Sequence, residues 1–407
     1  MSHVTIFKRL PGALAGLLVL GVLGVGSAHA EVKFGALYPF SGQLALLGEE
    51  SARGLELAVD EVNEAGGVQG EKVVLVRGDA VDNNQAIGEA RRLISRERVK
   101  AIFGTYSSSR VIAASQVAEL SRMPYFELGA VSQQVTDRGL EYLYRTNPTA
   151  KDMARTIIDM IEQAVSPKLG VEPDDLRIGL IHEDSSYGTS VAQFERQFAE
   201  ESGLDIVSEQ SYPASTVDMS SIVLALKQED VDIVLQTSYQ NDTVLFLRQA
   251  SEANYKPKAI IGGGGGYSMQ PTAEAVGHDA IDGVLDVDFT QYNVDPEFAP
   301  GVKQFVADYK AKYGESPRSG HSLNNYAGAM AILNAIDNAD GFEADTILSA
   351  VEAIDIPMGE TAAGYGVKFG ENNQNTRAQM MGMQWQDGEL VTVFPKEAAT
   401  AELQVNQ

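Results

Sequence analysis

The sequence predicts a parallel, doubly wound α/β fold built as two lobes, on three observations. From Glu31 onward, short apolar runs alternate with amphipathic stretches of helical spacing, the pattern of strand–helix–strand crossovers. The alternation restarts after Arg145-Thr146-Asn147-Pro148, giving two units in series. Small and hydroxyl-bearing residues follow the strands, where open α/β sheets carry their ligand loops.

Val32 to Tyr38 is the first strand. Pro39-Phe40-Ser41-Gly42 turns the chain into a helix from about Gly48 to Glu64, with Leu55, Ala58, Val59 and Val62 on one face and Gly66-Gly67 as its stop. Lys72 to Arg77 is the second strand, and Asp82 or Asn83 caps the helix from Asn84 to Glu97. Val99 to Phe103 delivers Gly104 and a serine run to the helix Val111 to Leu120. Pro124 to Glu127 ends in Leu128-Gly129-Ala130-Val131-Ser132. In the second unit, helices at 153–165, 189–201, 220–227 and 243–253 alternate with strands at 177–182, 206–209, 233–236 and 259–261. Strand Val284 to Phe289 precedes helices at 296–312 and 322–339, which return to the first unit. Gly366 to Phe394 alternates about Asp387-Gly388 as a terminal hairpin.

The chain has 407 residues, 44% hydrophobic, no cysteine and a formal charge of −25. That length holds two or three domains with sizeable cores and excludes a disordered or fibrous chain. Residues 1–30 read as a secretory signal peptide: Lys8 and Arg9, an apolar run from Leu10 to Gly26, and Ala28-His29-Ala30 as the cleavage site. An uncleaved anchor is the competing reading, and Pro11 and several glycines count against it. Without a cysteine to acylate, the mature protein is expected free in the periplasm rather than tethered as a lipoprotein. Removal of the leader leaves 29 basic against 56 acidic residues. Nucleic acid and anionic lipid are poor partners for such a surface.

Ser107, Ser108 and Ser109 stand at a helix N-terminus, where free N–H groups and the helix dipole favour an anion; one of them is equally suited to be only the cap. Gly262 to Gly266 is a run of five glycines that fails G-x-G-x-x-G, and no Walker A sequence occurs. It serves either close backbone approach or loop flexibility. Glu183-Asp184 reads as solvated or capping, and Glu127, a charge closing an apolar strand, meets either a cation or a ligand. His182, His278 and His321 lack metal-ligand spacing, and no HExxH, G-x-S-x-G or cysteine nucleophile is present, so no enzyme and no cofactor are indicated.

These residues give the mature chain, Glu31 to Pro395, a specific likeness. GALYPFSGQLALLGEESARGLELAVDEVNEAGGVQG (35–70), GTYSSS, VTDRG (135–139) followed by YRTNP, EDSSYG (183–188), YKAKYGESP (309–317) and QWQDGELVTVFP (384–395) carry it. Together they resemble the periplasmic solute-binding proteins of ABC transporters, of the leucine/isoleucine/valine-binding type for branched-chain amino acids and amides. The resemblance implies a type I periplasmic-binding-protein fold, two Rossmann-like lobes joined by a three-segment hinge crossing near 146, 284 and 358. Lobe 1 is then 31–146 and 284–358; lobe 2 is 147–283, with 359–407 as its completion and tail.

The resemblance also implies a monomeric receptor that closes on a small-molecule solute and presents it to an ABC transporter permease in the inner membrane. An exported sensory module for a chemoreceptor or kinase is the alternative. By position, Ser107 matches the serine that binds the ligand carboxylate and Tyr106 the pocket position before it. Gly129 and Ala130 match a small pair approaching the ligand, and Leu47 matches an aromatic pocket position. Tyr187 and Tyr239 match tyrosines that close from lobe 2, with Gln240 the alternative to Tyr239. Two positions depart from the pattern. Val131, or Ser132 in a shifted register, stands where a Thr or Ser is usual, and Gly265 stands where an acid neutralises the ligand's ammonium. Either Glu127 or Asp184 substitutes for that acid, or the ligand is a small carboxylate or amide without an ammonium.

Overall fold

A computed structural model describes residues 30–405. Apart from Ala30, the leader read at 1–30 lies outside the described residues. The first lobe runs β1 (Glu31–Tyr38), α1 (Ala45–Glu64), β2 (Lys72–Asp79), α2 (Asn83–Arg92), β3 (Ile102–Gly104), α3 (Ser108–Leu120), β4 (Tyr125–Glu127), α4 (Gln134–Asp137) and β5 (Leu143–Arg145). Its five strands are all parallel, in the order β2-β1-β3-β4-β5.

The second lobe follows as α5 (Ala150–Met160), α6 (Ser166–Leu169), β6 (Arg177–Glu183), α7 (Ser186–Ser202), β7 (Asp205–Tyr212), α8 (Ser220–Gln228), β8 (Ile233–Thr237), α9 (Gln240–Glu252), β9 (Ala259–Gly263), α10 (Gln270–Val276), α11 (His278–Ile281) and β10 (Leu285–Asp288). Its parallel strands repeat the order, β7-β6-β8-β9-β10. Each sheet therefore has a switch point, between β1 and β3 in one and between β6 and β8 in the other, where neighbouring crossovers leave on opposite faces and a crevice opens.

The chain then returns to the first lobe with α12 (Val302–Tyr313), α13 (Gly320–Asp337), α14 (Ala344–Glu352), β11 (Asp355–Ile356) and β12 (Val367–Lys368). It finishes in the second sheet with the antiparallel pair β13 (Met381–Gln386) and β14 (Glu389–Phe394), turning at Asp387-Gly388.

Two expected boundaries move. Strand β10 pairs with β9 and β13, so the return to lobe 1 begins after Asp288 rather than at 284. β11 and β12 pair with each other, and Ile354, Ile356, Val367 and Phe369 pack into the first lobe's core, so the last crossing lies beyond Thr376 rather than near 358. The first crossing, at Thr146-Asn147, lies beside the last: Asn375 Nδ2 donates to Thr146 O at 2.8 Å and Gln374 Nε2 to Asn147 O at 2.8 Å. Several helix starts are capped by side chains: Asp82 accepts from Gln85 N, Thr149 forms a capping box with Asp152, and Ser185 and Ser319 cap α7 and α13.

Candidate functional site

The switch points of the two sheets face each other across a chamber of about 330 Å³, counting its opening to solvent. From lobe 1 its wall takes Leu47 at the start of α1, Tyr106 and Ser108 where β3 passes into α3, Gly129 and Val131 after β4, and His321 in α13. From lobe 2 come Met153 in α5, Tyr187 in α7, Tyr239 before α9, Gly264 and Gly265 after β9, and Asp288 and Phe289 at the end of β10.

The loop carrying Tyr106 is set by Glu127. Its buried carboxylate accepts the N–H of Thr105 (2.6 Å) and those of Tyr106, Leu128, Gly129 and Ala130 (2.7–3.1 Å), tying the exits of β3 and β4 together. Glu127 therefore meets neither a side-chain cation nor the chamber; burial raises its pKa and the backbone donors oppose that rise. Tyr106 adopts a left-handed backbone, φ 57°, sparsely populated by non-glycine residues and held here by those bonds. Its side chain covers Gly129, where an added Cβ would come within 2.9 Å of Tyr106 Cβ.

The carboxylate anchor expected from this region, Ser107, is the N-cap residue of α3 and off the chamber wall. The wall hydroxyl is that of Ser108, whose Oγ accepts Ser132 N–H at 3.1 Å and so keeps its own proton to donate. Ala130 is fully buried behind the wall, its carbonyl taken by Arg145 Nη1 and Asn147 Nδ2, each at 3.0 Å. Leu47, Tyr106, Gly129, Val131, Tyr187, Tyr239 and Gly265 are brought together on the wall.

In lobe 2 the Tyr187 hydroxyl donates to Gly263 O, and its ring lies 5.2 Å from that of Tyr239. All five glycines of the run lie where a Cβ would be crowded. At Gly262 it would meet the Tyr267 ring at 2.4 Å; at Gly265 it would meet Leu47 Cδ2 at 2.5 Å and His321 Nε2 at 3.1 Å. The run serves close approach, between the lobes at Gly265. Glu183 is spent on the start of α7, accepting from Ser185 and Gly188, and Asp184 is exposed to solvent. Neither acid considered as a substitute at 265 lines the chamber.

The acid on the wall is Asp288, which the sequence reading missed together with Met153, Phe289 and His321, while Ser108 and Gly264 were named only as members of the serine and glycine runs. Its signal was present: Asp288 closes an apolar strand, the place where α/β sheets bind ligands, once that strand is assigned to the second sheet. Asp288 is 1% exposed, and its Oδ2 accepts Ser268 Oγ at 2.7 Å. His321 Nε2 is 3.2 Å from the same oxygen but misaligned, so both ring nitrogens lack a hydrogen-bond partner among the described residues. The imidazole packs edge-on against Phe289 at 4.8 Å.

Two doubly wound lobes, three crossings and a chamber between facing strand ends define the type I periplasmic-binding-protein fold. The family model for periplasmic binding proteins matches residues 31–389, and the chain belongs to that family. It is 66% identical over 397 residues to a Leu/Ile/Val-binding protein homolog 8 of Brucella abortus, covering 96% of this chain and 98% of that one. The branched-chain amino acid substrate-binding protein LivJ of Streptococcus pneumoniae, solved with isoleucine, superposes with a TM-score of 0.77 at 22% identity, covering 92% of this chain and all of that one. The leucine-binding protein LivK of Thermotoga maritima gives 0.76 at 22% identity, covering 89% and 97%. At those identities the structures attest the fold.

Proposed function

We propose that this chain is the periplasmic substrate-binding component of an ABC uptake system, which captures a small amino acid with an apolar side chain and presents it to an inner-membrane permease. The observation that carries this reading is the chamber itself, with walls from both lobes: a ligand touching both walls favours the closed form, because only a difference in affinity between open and closed states shifts their populations. The start of α3 with the Ser108 hydroxyl suits a carboxylate. Leu47, Val131, Met153 and Phe289 suit an aliphatic side chain, and the relative named for leucine, isoleucine and valine supports that class. The leader at residues 1–30 supports export, and among the described residues no helix is long and apolar enough to cross a membrane.

Thermal melting of the mature protein against the amino acids, their amides and aromatic acids tests the reading. A ligand at a hundredfold over its Kd stabilises by about 2.7 kcal/mol. Stabilisation by leucine, isoleucine or valine is expected; a chain stabilised by none of the panel is not this receptor.

A further inference from the structure

We infer that Asp288, seated beside His321 at the end of β10, recognises the ligand's ammonium, so that the acid missing at position 265 is supplied by the last strand before the hinge. The inference rests on the receptor reading above and names the residue that restricts it to ammonium-bearing solutes.

Asp288 is buried with an incomplete set of partners. A carboxylate accepts about four hydrogen bonds, and among the described residues Asp288 receives one side-chain hydroxyl, from Ser268, with an imidazole close by but misaligned. Among the described residues no lysine or arginine lines the chamber. A buried carboxylate without a cation is costly, and a cation brought by the ligand relieves that cost on binding.

Asp286 lies two residues earlier on the same face of β10, fully buried. Its Oδ1 accepts Gly264 N at 3.2 Å and its Oδ2 has no donor among the described residues. Burial first, and the Asp288 charge second, push its pKa well above the carboxylate range. Asp286 is thus pushed toward its neutral form, and Asp288 is the carboxyl of the two that reaches the chamber wall.

The glycine at 265 fits the same arrangement. An acid there would have to displace Leu47 Cδ2 and His321 Nε2, and His321 stands where it does against Asp288. Ser108 belongs to lobe 1 and Asp288 to lobe 2, so a zwitterion held at both ends ties the lobes together. A des-amino acid would engage the first lobe's anchor and bring no cation to Asp288, leaving it with Ser268 and the misaligned His321 alone.

Calorimetry on the mature protein with L-leucine and 4-methylpentanoate, its des-amino analogue, tests this on the wild type and on Asp288→Asn. The wild type is expected to bind L-leucine about 100-fold or more tightly than 4-methylpentanoate. Asp288→Asn should lose most of that preference, by weakening L-leucine about 100-fold while the analogue holds or gains. Ser268→Ala, which removes the hydrogen bond that orients the Asp288 carboxylate and keeps the carboxylate itself, should weaken L-leucine by a smaller factor, about 5-fold, and circular dichroism confirms that each variant is folded. An Asp288→Asn protein that binds L-leucine within about 3-fold of wild type overturns the assignment of Asp288 while the receptor reading stands. The wild-type comparison needs no variant to fold: equal affinity for the two ligands overturns the assignment too. A wild type that binds no amino acid, amide or carboxylate overturns the receptor reading itself.

Discussion

At the scale of single residues, one-position shifts decide the chemistry. Ser107 and Ser108 are indistinguishable in sequence, yet the helix start turns one into the cap position and the other toward the chamber. With its lone pair engaged by Ser132 N–H, the Ser108 hydroxyl is poised as a donor. Ser108→Ala is therefore expected to weaken a carboxylate ligand by about 1.5–3 kcal/mol, the range for a hydrogen bond to a charged group. Calorimetry reads this directly, and an unchanged Kd takes Ser108 out of the site. Away from the chamber, Glu195 in α7 is fully buried and neither carboxyl oxygen has a partner among the described residues. Burial raises its pKa to about 8 from the ordinary 4.5. A carboxyl raised in the folded state holds its proton there, so its contribution to stability is complete below about pH 4.5 and is lost as pH climbs through 8. Melting curves from pH 5 to 9 should show the wild type losing stability with rising pH relative to Glu195→Gln, by up to about 4 kcal/mol. Parallel curves for the two proteins would show that Glu195 does not titrate in that window.

At the scale of elements, Glu127 ties the β3 and β4 exits into one rim, while a contact outside the chamber joins the lobes. Gln133 N, just before α4, donates to Ser190 Oγ in α7 at 3.0 Å. A neutral hydrogen bond contributes about 1 kcal/mol net, so Ser190→Ala should shift the lobes toward the open form and weaken ligand by about 5-fold. The dissociation rate, followed in stopped flow, should rise accordingly. Equal rates would mean that the contact is absent from the liganded state. The elements themselves were largely legible in the sequence. β1, β2, β6, β8 and β9 fall within a few residues of their expected bounds, because an apolar run between turn signals is a local property. β5, α10 and α14 were missed, and β5 shows why: only three residues long, it is recognisable by its pairing with β4, which no local pattern records.

At the scale of the whole molecule, the twin strand orders place two crevices face to face, and three crossings let them approach or part. The lobes meet at Leu47 with Gly265 and at His321 with Asp288, contacts that parting of the lobes would break. Small-angle scattering on the mature protein should show a more extended particle without ligand and a smaller radius of gyration with leucine at saturation. An identical radius in both would remove closure from the mechanism.

The sequence by itself determined the two-lobed α/β architecture and the loops that face the chamber, which follow from periodicity and from the rule that α/β sheets bind at strand ends. Most of the chamber's aromatic and glycine lining came from the resemblance to the solute-binding proteins, position by position. Only the tertiary structure decided which sheet holds β10, where the last crossing falls, which serine points inward, and that Asp288 and His321 meet at the wall. The physical reason is that these depend on pairings between segments far apart in the chain and on the rotation of helix starts, and hydrophobic spacing within a segment carries neither.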